Sequence, residues 1–206
     1  MAFLNPTAFL TVASAIFVAE LTDKDAFLLL TLAARKNAWL VFASGSVAFA
    51  ITTAIITTSG YLLVGLLPVF WIKLAGGIVM ISYGVWQLFK TSEEKERREV
   101  EKNESRLLSD STKKSKWPAF FAVVSALALL DLAGDATEVL TIIFVAHFQD
   151  VLLVFTGALT ALVAATALET VLGNQLRRIF SFNRLRLFSV IVFLAMGSVV
   201  IITTIL

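Results

Sequence analysis

The chain has 206 residues, 58% of them hydrophobic and 16% charged, with a formal net charge of +2. A soluble domain carries about a quarter charged residues, and most charges here fall in one central stretch, so the composition excludes a soluble globular protein and points to a multi-span helical membrane protein. Cysteine is absent and His147 is the one histidine, which excludes disulfides and thiolate or multi-histidine metal centres; no nucleic-acid partner is expected.

Six apolar segments follow one another, at about 7–34, 38–67, 69–89, 117–148, 151–176 and 185–206. A span needs about 20 residues. The first, second, fourth and fifth segments are longer than this, so tilts, kinks or breaks are expected. The first segment contains Ala13-Ser14-Ala15 but no basic stretch before it, and its apolar run continues into an acidic cluster. It therefore reads as a span and not as a cleaved signal peptide.

Basic residues set the orientation. Lys24 and Lys73 apart, every Lys and Arg lies in one of three links: Arg35 and Lys36; the stretch from Lys90 to Lys116; and Arg177, Arg178, Arg184 and Arg186. These links follow segments one, three and five and so share a side. The positive-inside rule places them in the cytoplasm and both termini outside; Lys73 lies near an outer link and is free to snorkel. With no targeting sequence recognised, a prokaryotic plasma membrane is the expected location. The 91–116 stretch, with Glu93-Glu-Lys-Glu-Arg-Arg-Glu99, reads as a solvated connector with helical charge spacing.

The chain repeats itself. When Asp23 is aligned with Asp135, Gly45 falls on Gly157. Residues 1–90 then form a first three-helix repeat, 91–116 a cytoplasmic linker and 117–206 a second repeat. Three is an odd number of spans, so the second repeat enters the membrane from the opposite side. The expected fold is an all-α membrane protein of six transmembrane helices in two inverted repeats, with its site at the repeat interface near the midplane.

Two acidic clusters interrupt the apolar runs: Glu20-Leu-Thr-Asp-Lys-Asp25 in segment one and Asp131-Leu-Ala-Gly-Asp-Ala-Thr-Glu138 in segment four. A charge in hydrocarbon costs about 2.5–3.5 kcal/mol on insertion scales. Such residues persist where they face a protein interior, pair, or bind something charged. Glu20 and Asp23 are three apart, Asp131 and Asp135 four, and Asp135 and Glu138 three, so on a helix each cluster presents two or more carboxylates to one side. Thr22 and Thr137 add hydroxyls. The set is all oxygen and suits a hard cation such as Ca²⁺ or Mn²⁺. The two clusters are expected to face each other and bind a metal at mid-membrane through Glu20, Thr22, Asp23, Asp25, Asp131, Asp135, Thr137 and Glu138. Lys24 reads as a counter-charge to Glu20, while Glu20 and Asp135 also carry proton coupling. Glu169 is read either as a partner of Arg177 or Arg178 or as lining an access path. His147 and Asp150 are placed in an outer loop.

Glu20-Leu-Thr-Asp-Lys-Asp25 resembles the E-x-G-D-K-[T/S] signature of the Gdt-type cation exchangers, the transmembrane protein 165 family. The first motif matches at Glu20, Asp23 and Lys24 and departs at Thr22 and Asp25. The second matches at Gly134, Asp135 and Thr137 and departs at Leu132 and Ala136, where Glu and Lys are usual. The resemblance covers both halves and implies two inverted repeats exchanging Ca²⁺ or Mn²⁺ for protons, with export of the metal from the cytoplasm. No cofactor is implied beyond the transported metal. Two other readings stand beside this one: a transporter or channel for another cation or a small organic solute, and, more remotely, an intramembrane aspartyl protease, which lacks the first Gly of G-x-G-D and its Tyr-Asp partner. Monomer or homodimer is left open.

Overall fold

The computed structural model describes residues 5–21, 26, 29–30, 32–33, 37–89, 116–132, 136–179 and 182–206. Among these the chain is all-helical: α1 (Pro6–Leu21), α2 (Ala38–Leu66), α3 (Val69–Phe89), α4 (Lys116–Asp131), α5 (Ala136–Phe148), α6 (Val151–Ile179) and α7 (Phe182–Ile205). Ala26, Leu29, Leu30, Leu32 and Ala33 are also helical. Ala38–Leu66, Val69–Trp86 and Val151–Val171 are long and apolar enough to cross a membrane; Pro6–Leu21, Phe120–Leu129, Thr137–Phe148 and Val190–Ile205 are shorter apolar helices. The linker expected at 91–116 lies outside the described residues apart from Lys116.

The helix ends follow from local chemistry. Asn37 caps α2, its side-chain oxygen accepting from the Trp39 amide at 3.0 Å. α2 stops before Pro68 because proline disfavours helical backbone in the residue ahead of it, and Leu67 is extended at φ −124°, ψ 145°. Pro68 then opens α3, its carbonyl accepting from Trp71, as suits a residue with no amide proton. At the other outer link Gln149 takes the left-handed conformation (φ 53°) and its amide donates to the Val145 carbonyl, closing α5. Asp150 caps α6 by accepting from the Leu153 amide at 3.0 Å.

Polarity is arranged inside-out relative to a soluble protein. The buried positions include Glu20, Ser44, Thr52, Thr53, Thr57, Asp131, Thr137, Thr141, Thr166, Glu169 and Thr170, whereas Phe70, Trp71, Ile78, Val79, Trp86, Phe89, Ile191, Val199 and Ile202 face outward. An apolar exterior of this extent suits a hydrocarbon solvent, and interior polar groups are what a membrane transporter retains. The protein is an integral membrane protein.

Glycines mark where helices come closest. A Cβ on Gly45 would meet Thr166, Leu29 and Leu127, and one on Gly157 would meet Val12. A Cβ on Gly60 would meet Val145, and one on Gly76 would meet Ile143. These contacts order the helices. α6 runs with the first segment: Gly157 lies beside Val12, and further along Thr166 and Leu29 both lie against Gly45. α4 and α5 run with α2. α3 runs against α5, and Gly77 and Gly84 pair with Gly197 and Leu194 in an antiparallel α3–α7 crossing.

Candidate cation site

Segment four is two helices. α4 ends at Asp131, Leu132 is in a turn, and α5 starts afresh at Ala136. Asp131 at the end of α4 and Glu138 in the first turn of α5 are the two ends of the second acidic cluster. Asp131 and Glu138 line one small pocket with Thr53, Ile56, Thr137, Thr141 and Leu162. Asp131 and Thr137 are buried and Glu138 is half-buried.

The pocket offers oxygen only: two carboxylates and the hydroxyls of Thr53, Thr137 and Thr141, with Ile56 and Leu162 as apolar wall. Thr141 donates its hydroxyl proton to the Thr137 carbonyl at 2.7 Å, which leaves its lone pairs available to a cation. Such a donor set can hold a hard cation and suits a soft one poorly. Among the described residues no three His, Cys, Asp or Glu side chains form a ready metal cluster.

The first acidic cluster is placed in part. Glu20 is buried in the last turn of α1, outside the wall of this pocket. Thr22, Asp23, Lys24 and Asp25, and Asp135 of the second cluster, lie outside the described residues. Sequence spacing missed two contributors. Thr141 follows Thr137 by four residues and so shares its face, a signal that was there to extend. Thr53 comes from α2, and no local pattern points to it. His147 is exposed at the end of α5, where its Nδ1 accepts from Lys73 Nζ at 3.0 Å; Lys73, expected to snorkel, bonds across to another segment.

A helical membrane bundle with carboxylates and threonines lining an interior pocket has the parts of an ion transporter, and the family that matches the chain is one of antiporters, not enzymes. The family model for the divalent cation/proton antiporter GDT1 matches residues 8–95 and 119–205, and the chain belongs to this family of antiporters. No curated protein and no solved structure matches the chain.

Proposed function

We propose that the protein exchanges Ca²⁺ or Mn²⁺ for protons and exports the metal from the cytoplasm. The observation that carries this is the pocket lined by Asp131 at the end of α4 and Glu138 at the start of α5 together with Thr53, Thr137 and Thr141. Two carboxylates match one divalent charge, and the same carboxylates can take protons instead. Neutralised in either way, the site crosses between inward- and outward-facing states; empty and charged, it crosses poorly, because a naked carboxylate in a dry interior is costly. That coupling makes an exchanger and not a leak.

The site extends, in this reading, to Glu20, Thr22, Asp23, Asp25 and Asp135, with Lys24 as counter-charge and Glu20 and Asp135 carrying protons. Two inverted three-helix repeats, 1–90 and 117–206, joined by a cytoplasmic linker at 91–116, frame it. Relative helix directions support the inversion: α1, α2 and α3 alternate, and α4 with α5, α6 and α7 alternate in the opposite sense. The aligned pair Gly45 and Gly157 supports it as well, each packing on the other half: Gly157 on Val12 of α1, and Gly45 on Thr166 of α6 and Leu127 of α4. The family match on both sides of the linker is in keeping with this division. Both termini lie outside and the Arg177–Arg178 end of α6 lies inside, in a prokaryotic plasma membrane.

Flux into proteoliposomes carrying a metal dye and a pH dye tests the proposal. Metal movement with opposite proton movement, lost in Asp131→Asn and Asp135→Asn, is expected. Metal movement indifferent to a pH gradient would instead define a channel, and no metal movement at all would point to an organic solute.

A further inference from the structure

We propose that Glu169 is a proton-carrying carboxylate on the inward side of the cation pocket, so that protons reach the site by a route the metal does not occupy. This rests on the exchange reading above. Glu169 is 1% exposed, within a buried stripe of α6 that includes Leu162, Ala165, Thr166 and Thr170. Leu162 is wall to the Asp131–Glu138 pocket, and Glu169 is not. Seven residues separate them, so Glu169 stands about 10 Å further along α6, toward Arg177 and Arg178 and the cytoplasmic link. Glu20 lies between these levels. α1 and α6 run the same way with Val12 beside Gly157, and eight residues on from each are Glu20 and Ala165. Pocket, Glu20 and Glu169 thus descend in a file of carboxylates through the protein interior, the arrangement proton relays use.

Among the described residues α6 packs chiefly on α1, α2 and α5. Their titratable groups are Glu20 on α1, Tyr61 on α2, and Glu138 and His147 on α5; α6 itself adds Arg177 and Arg178. Glu169 is the carboxylate of this set nearest the basic end. A carboxylate there takes a proton from the cytoplasmic side or delivers one to it while the metal sits in the pocket. Thr166 and Thr170 flank it but donate to the Leu162 and Thr166 carbonyls at 2.8 and 2.7 Å, leaving hydroxyl lone pairs, not protons, on that stripe.

Two assays on the full chain in proteoliposomes separate this role from the others. One is uptake of Mn²⁺ driven by a pH gradient; the other is exchange of labelled for unlabelled Mn²⁺ at equal pH, which needs no net proton movement. Glu169→Gln is expected to keep metal-for-metal exchange and lose gradient-driven uptake, and Glu169→Asp to recover uptake with a displaced pH profile. Wild-type gradient-driven uptake in Glu169→Gln overturns the role, as does loss of both activities, which would put Glu169 in the metal site or the fold. If Glu169→Gln does not fold, Glu169→Asp decides, and an unchanged pH profile overturns the proposal. An unsubstituted chain that moves Mn²⁺ with no proton movement refutes the exchange reading itself.

Discussion

Gly77 and Gly197 lie back to back where α3 crosses α7. A Cβ on Gly77 would stand 3.2 Å from the Gly197 carbonyl oxygen, and one on Gly197 would stand 2.9 Å from the Gly77 carbonyl oxygen. In lipid, helices gain little from hydrophobic contact and associate through close packing over small residues. This crossing ties α3 to α7. Gly197→Ala must push backbone apart and is expected to destabilise the protein by about 1–3 kcal/mol. Gly65 meets nothing within 4 Å, so Gly65→Ala serves as the control and is expected to be neutral or stabilising. Thermal unfolding in detergent reads both; equal effects would deny the crossing its role.

The pocket makes a prediction about binding that does not depend on transport. A cation held by the folded state at about 100 times its Kd adds about 2.7 kcal/mol of stability. The unsubstituted chain is expected to show a rise in melting temperature with Ca²⁺ or Mn²⁺. Asp131→Asn and Glu138→Gln should abolish it, and Thr141→Val should weaken it. A full metal-induced rise in Asp131→Asn would remove that residue from the site.

Lys73 and His147 join the start of α3 to the end of α5 at 3.0 Å. The bond is exposed, so its net worth is small, about 0.5–1 kcal/mol. A double-mutant cycle with Lys73→Met and His147→Ala should return a coupling of that size, while each variant folds normally. Additive losses would mean that the two groups do not act on each other in the membrane.

Gln149 holds φ 53° without being glycine, a conformation costing an L residue roughly 1–2 kcal/mol. Gln149→Gly is therefore expected to stabilise the α5–α6 turn by part of that amount, offset by the greater freedom of glycine in the unfolded chain. Gln149→Val, β-branched, is expected to destabilise it. Thermal melts of the two variants should move in opposite directions.

The sequence by itself determined the class of protein, an all-helical membrane protein. Apolar segment lengths, the basic links and the two acidic interruptions are one-dimensional signals, because lipid demands apolar runs and penalises charge wherever it falls along them. The signature around Glu20–Lys24 also sufficed for the family. Inside segment four, spacing placed Asp131 and Asp135 on one helix face and left kinks or breaks open; Asp135 lies outside the described residues, and Asp131 at the end of α4 lines a pocket with Glu138 in the first turn of α5. Only the tertiary structure could add Thr53, which reaches the pocket from α2, or set Lys73 against His147, 74 residues away. It also decided how near each helix comes to the next. That depends on which glycines face a neighbour, as Gly77 and Gly197 do and Gly65 does not, and the facing of a helix is a property of its partners and not of its own sequence.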